Sequence, residues 1–263
     1  MLECVVNVSE GRDLRVVAAI ASAAGNDLLD VHSCADHHRS VLTLVGEDAP
    51  RAVASAAVAA LDLRTHDGAH PRIGVLDVVP FVPLDDSLMA AALDARDAFG
   101  EWIAATHEVP VFLYGPERSL PEVRRGAFTA LAPDLGPRRP HPSAGAVAVG
   151  ARAPLVAYNL WLADADLATA RQVARELRSP AVRALGLQVG EHVQVSMNLV
   201  APREVGPADV WDAVTREAPV ARAELVGLVP AEVLATTPAA RWEQLDLAPE
   251  RTIEARLERR AER

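Results

Sequence analysis

Lysine is absent from the whole 263-residue chain, whose 26 basic residues are all arginine. That excludes a pyridoxal Schiff base, a lysine nucleophile and the lysine of a phosphate-binding loop, and several large enzyme classes with them. Cysteine is scarce too. Cys4 and Cys34 are too few for a disulfide framework, and both stand in apolar segments, which predicts reduced, buried thiols and a cytoplasmic protein. Hydrophobic residues make up 50% of the chain, yet no apolar run approaches the ~20 residues of a membrane span. Met1-Leu2-Glu3-Cys4 has no basic segment ahead of an apolar core, so no signal peptide is expected.

A formal net charge of -10 argues against nucleic acid or an anionic membrane as a partner. Residues 115–152 break the trend, with six arginines (118, 124, 125, 138, 139 and 152) against three acids (117, 122 and 134). A basic segment in an acidic protein suits a small anionic ligand better than a polymer.

The stretch from Thr65 to Pro83 stands out. A polar loop with His66, Gly68, His70 and Arg72 runs directly into the β-branched segment Val75–Val82, which has strand length and meets prolines at its end. His70 and Arg72 therefore stand at the mouth of a predicted buried strand, on a loop held by a rigid element.

Around it, alternation and helical spacing predict β-α-β-β-α-β-α-β for residues 3–114. The predicted parts include strands at Glu3–Ser9, Leu28–Val31 and Val111–Tyr114, a strand opened by Arg39, and a long helix from Leu88 to Ile103. Residues 115–150 turn to Pro, Gly, Arg and Ala with weak periodicity, as in a functional segment or linker. A second unit follows. Strands at Leu155–Leu162, Ala184–Val189, His192–Leu199 and Leu225–Val229, with a helix opened by Asp164 and another around Val210, read as β-α-β-β-α-β, a ferredoxin-like arrangement. In the third of these strands Gln194, Ser196 and Asn198 alternate with apolar residues, giving one polar face. The tail from Arg241 to Arg263 reads as a solvated helix.

With these pieces laid out, the chain resembles the formiminotransferase domain of the formiminotransferase-cyclodeaminase family. The matching stretches are Glu3–Gly11, Gly68-Ala69-His70-Pro71-Arg72-Ile73-Gly74-Val75-Leu76-Asp77-Val78, Pro133–Pro137, His141–Ala146, Val195–Leu199 and Leu225–Pro230. The resemblance implies an α+β fold of two ferredoxin-like subdomains, residues 1–152 and 153–263, with a ligand cleft between them. It implies transfer of the formimino group of N-formiminoglutamate to N5 of tetrahydrofolate, as co-substrate, with release of glutamate and no metal. A homodimer is implied as well. Carried over by position, His70 is the catalytic histidine, and the folate-contacting segment is Gly136, Pro137, Arg138, Arg139, Pro140, His141, Pro142, Ser143, Ala144 and Gly145. Three departures are expected: a shorter segment between Arg178 and Val193, His32 in place of an acid, and no cyclodeaminase domain.

The chemistry asks for such residues. An amine attacks an amidinium carbon and another amine leaves, so one proton must be taken and one given. An imidazole with a pKa near 6.5 can do both. Both substrates are anionic, and Arg72, Arg138, Arg139 and Arg152 could hold carboxylates bidentately. Asp36 and Asp77 could orient a histidine or hold the formimino cation, and Asp77, in an apolar strand, could equally pair with Arg72. Asn7, Ser9, His38, Arg39 and Asn198 complete the candidate cleft. Two alternatives stand beside this reading. One is a metal-dependent hydrolase using Asp36, His37, His38, His66 and His70, although Gly68 and Pro71 keep His66 and His70 off a common helical face. The other is a non-catalytic folate-binding protein.

Overall fold

A computed structural model describes residues 1–68, 70–84 and 88–262, so Ala69 of the histidine loop and the final Arg263 lie outside the described residues. The chain divides into two compact units, Met1–Ala153 and Pro154–Arg263. Among the described residues no helix is long and apolar enough to cross a membrane.

The first unit runs β1 (Leu2–Val8), α1 (Leu14–Ser22), β2 (Leu28–Cys34), β3 (Arg39–Val45), α2 (Asp48–Ala60), β4 (Leu76–Pro83), α3 (Met89–His107), β5 (Val111–Tyr114), α4 (Leu120–Gly126) and β6 (Val147–Ala151). Its six-stranded sheet has the order β2-β3-β1-β4-β6-β5. Strand alternation makes the layers. Cys4, Val6 and Val8 of β1 join Leu42 and Leu44 of β3 in a core with Val53 of α2 and with Phe99 and Ile103 of α3. The opposite set, Val78, Phe112 and Ala148, packs against Val123 of α4. Three helices thus cover one face, and α4 covers part of the other.

The weakly periodic segment contains two elements that its composition hid. Helix α4 is opened by a capping box of Ser119 and Glu122. Strand β6 lies between β4 and β5 and pairs with both in parallel. Its Val-Ala-Val-Gly-Ala sequence is buried at every position, so no polar face marks it as a strand. Gly150 is required there because a Cβ would overlap the Tyr114 ring. In β4, Pro83 ends the strand as predicted, but Pro80 lies inside it. The ladder with β1 has partners on either side of Pro80, at Cys4–Phe81 and Asn7–Val78. Cys34 is half-buried rather than buried.

The second unit runs β7 (Val156–Leu162), α5 (Leu167–Leu177), β8 (Val182–Val189), β9 (His192–Leu199), α6 (Pro207–Thr215), β10 (Val220–Val226), α7 (Ala231–Thr236) and α8 (Ile253–Ala261). Its antiparallel sheet has the order β10-β7-β9-β8. Counted within each unit, this order and that of β2-β3-β1-β4 are the same split βαββαβ arrangement. The α+β class is therefore as the sequence predicts.

Local details differ. The cap of α5 is Asp166, which accepts from the Thr169 amide, while Asp164 takes a left-handed turn conformation. Strand β10 begins at Val220, five residues before the predicted start, because Ala223, its first buried residue, is too small to give a strong apolar signal. The tail is not one solvated helix. Leu245 and Leu247 are buried in the second core, and Thr252 bridges to Val229 before α8 begins. On β9, Gln194 is fully buried, Ser196 is half-buried and Asn198 is exposed, so the polar face is not uniformly wet.

Candidate active site

At the amino end of β4, Asp77 is completely buried. A carboxylate in such a place needs donors on every side, and it has them. Arg39 Nη1 and Arg124 Nη2 each donate to Oδ2 at 2.6 Å, and the Ile73 amide donates to Oδ1 at 2.8 Å. Burial alone would raise the pKa of this acid. The two guanidiniums outweigh it and bring the pKa down to about 2. Asn7 completes the frame by accepting from Arg39 Nε at 3.1 Å.

His70 lies beside this hub. Its Nδ1 is 2.8 Å from the Pro71 carbonyl oxygen. A carbonyl carries no proton, so Nδ1–H must donate, and the neutral ring keeps its lone pair on Nε2. Burial of the ring, followed by the charges of Arg39 and Arg124, lowers the His70 pKa to about 3. The imidazole is therefore neutral at pH 7, whereas the sequence alone suggests an ordinary value near 6.5.

The loop around His70 is fastened by backbone carbonyls. Arg72 donates to the carbonyls of His66 (2.7 Å), Gly68 (2.9 Å) and His70 (3.3 Å). Ser9 Oγ donates to the Gly74 carbonyl at 2.7 Å. The 141–145 turn closes on itself, with His141 N donating to the Gly145 carbonyl and Gly145 N to the His141 carbonyl. It locks onto the loop through the Ala144 carbonyl, which accepts from Val75 N, and through the Ala146 amide, which donates to Ile73. Gly145 has φ +73°, and a Cβ there would run into the Ile73 carbonyl.

A second histidine group flanks the first. His38 and His66 stack at 4.1 Å with their planes 15° apart, and His66 Nε2 donates to the His38 carbonyl. His38 Nε2 lies 3.1 Å from Glu10, whose Oε1 also accepts the amides of Gly11, Arg12 and Asp13. Those amides overcome the effect of burial and lower the Glu10 pKa.

The model of the formiminotransferase domain, N-terminal subdomain, matches residues 1–152. The chain belongs to the formiminotransferase family. The glutamate formimidoyltransferase of Streptococcus pyogenes is 35% identical over 270 residues, which cover 89% of this chain and 90% of that protein. Its counterpart in Thermoplasma acidophilum is 34% identical, with 89% of each chain covered. The formimidoyltransferase-cyclodeaminase of Sus scrofa is 37% identical over 89% of this chain, which spans 51% of the porcine protein.

Within this formiminotransferase chain the structure brings together Asn7, Ser9, His38, Arg39, His70, Arg72 and Asp77, with residues 141–145 fastened alongside. It also corrects their partners. Asp77 pairs with Arg39 and Arg124, not with Arg72, whose guanidinium is taken up by loop carbonyls. Arg138 and Arg139 are exposed, as are Gly136, Pro137 and Pro140. Asp36 is exposed at the β2–β3 turn. Arg152 stands apart from the hub: its amide bonds to Phe81, toward the far end of β4 from Asp77. Asn198 belongs to the second unit. Sequence reasoning missed Arg124 and Glu10. The arginine pair at the end of α4 was the one signal for the former, and nothing in the spacing tied it to Asp77.

His38 and His66 do not converge as ligands of one metal ion. Lone pairs lie in the ring planes, so stacked, nearly parallel rings cannot aim theirs at one point. Among the described residues, no group of three or more His, Cys, Asp or Glu is placed to hold an ion.

Proposed function

We propose that this chain is a glutamate formimidoyltransferase, moving the formimino group of N-formimino-L-glutamate to N5 of tetrahydrofolate and releasing glutamate. The observation that carries the assignment to a site is the His70 imidazole, neutral and held with Nε2 as its basic atom. N5 of tetrahydrofolate attacks the formimino carbon, and the tetrahedral adduct forms. His70 Nε2 takes the N5 proton and passes it to the glutamate nitrogen, whereupon that C–N bond breaks. The cations Arg39 and Arg124 make Nε2 a weak base, so it takes the proton only once N5 has become cationic in the tetrahedral adduct, and the imidazolium then hands it on rather than holding it.

Residues 136–145 are proposed to contact the folate. The prolines stiffen the segment, and the exposed Arg138 and Arg139 offer guanidinium forks to glutamyl carboxylates. Asn7, Ser9, His38, Arg39, Arg72 and Asp77 frame the reacting end, and no metal takes part in these steps. Residues 1–152 and 153–263 form the two subdomains of this enzyme, which works as a cytoplasmic homodimer. A coupled assay that follows glutamate release from formiminoglutamate and tetrahydrofolate tests the reading. His70→Ala should lower turnover by about 10²–10⁴-fold, and wild-type turnover in that variant would refute it.

A further inference from the structure

The carbonyl that fixes the His70 ring is shared. Pro71 oxygen accepts His70 Nδ1–H at 2.8 Å and Arg124 Nη1–H at 2.6 Å, one for each lone pair. Arg124 is itself aimed by Asp77, with Nη2 at 2.6 Å from Oδ2. Asp77 also takes the Ile73 amide, two residues beyond Pro71. One buried carboxylate thus grips the loop twice, directly at Ile73 and at Pro71 through the Arg124 fork. We propose that Arg124 is a positioning residue that keeps His70 in its Nδ1–H tautomer with Nε2 free, by fixing the orientation of the Pro71 carbonyl.

The argument is geometric. A peptide plane free to rotate would carry the Pro71 oxygen away from the ring, and either imidazole nitrogen could then hold the proton. The planar guanidinium spans carboxylate and carbonyl at once, which a single ammonium cannot do with the same directions. The charged groups around His70 are Arg39 on β3, Asp77 on β4, Arg124 on α4 and Arg72, whose Nη1 donates to the His70 carbonyl, and His37 meets the ring edge-on at 6.0 Å. Of these, Arg39 and Arg124 are the cations whose charge lowers the His70 pKa.

The inference rests on the proposed role of His70, but its test is separable from that role. Proton–nitrogen correlation spectra of histidine-labelled protein, assigned with His70→Gln, show which ring nitrogen carries hydrogen. Wild-type protein should show Nδ1–H alone. Arg124→Ala should give mixed tautomers and raise the His70 titration midpoint by about one pH unit, since a neighbouring cation is gone. Arg124→Lys keeps the charge without the fork, so it should mix the tautomers while the midpoint stays low. Both variants should lose at least about tenfold in kcat with KM little changed. A folded variant of either kind that retains the single Nδ1–H form overturns the proposal. If His70→Gln leaves formimino transfer intact, the functional reading fails, and the spectra still decide what Arg124 does.

Discussion

Replacing Asp77 with asparagine tests the hub on which this site is built. The substitution keeps the shape but removes the charge, leaving Arg39 and Arg124, whose side chains are only 11% and 18% exposed, without a shared counter-ion. Breaking a buried pair in this way costs about 3–5 kcal/mol. For a protein of this size that lowers Tm by about 6–20 °C. The pH dependence gives a second handle. The Asp77 pKa falls from 3.8 to about 2 on folding. A depressed folded pKa contributes stability that is fully present above 3.8 and is lost as the pH falls through about 2. That contribution is about 2 kcal/mol. It is smaller than the cost of the substitution, because asparagine also turns an amide toward a guanidinium. In urea titrations across pH, the gap between wild type and Asp77→Asn should be level from neutral pH to about 5, then narrow by about 2 kcal/mol in acid. A Tm within about 2 °C of wild type at pH 7, or a gap that never narrows, would refute the reasoning.

Two further outcomes follow from the same geometry. Because His70 titrates near 3, its protonation should leave kcat/KM flat from about pH 5 to 8. An acid limb with a midpoint near the usual 6.5, absent from His70→Gln, would show that the ring is not held neutral. Gly145→Ala should cost at least about 2 kcal/mol in urea unfolding, from a left-handed backbone and a Cβ pressed against the Ile73 carbonyl. An unchanged midpoint would mean that the 141–145 turn is not locked to the histidine loop.

The histidine loop was legible because its residue types are unusual together: glycine, proline, arginine and histidine ahead of a β-branched run announce a loop held by a strand. Strand β9 was legible because His192–Leu199 alternates cleanly. Strand β6 was not, since burial on both faces removes the period that sequence reading depends on, and the start of β10 was blurred because its first buried residue is the small Ala223. Asp77 was recognisable as an acid that must have partners. Its partners were not, because Arg39 lies 38 residues before it and Arg124 lies 47 residues after it.

The sequence by itself determined what depends on local periodicity and residue chemistry: two α+β units, the loop bearing His70, and the absence of any lysine-based reaction. Only the tertiary structure decided which arginines face Asp77, which nitrogen of His70 is basic, and how far its pKa falls. Those properties arise from charges and carbonyls distant in the chain and within hydrogen-bonding reach in space, where low dielectric makes each of them count.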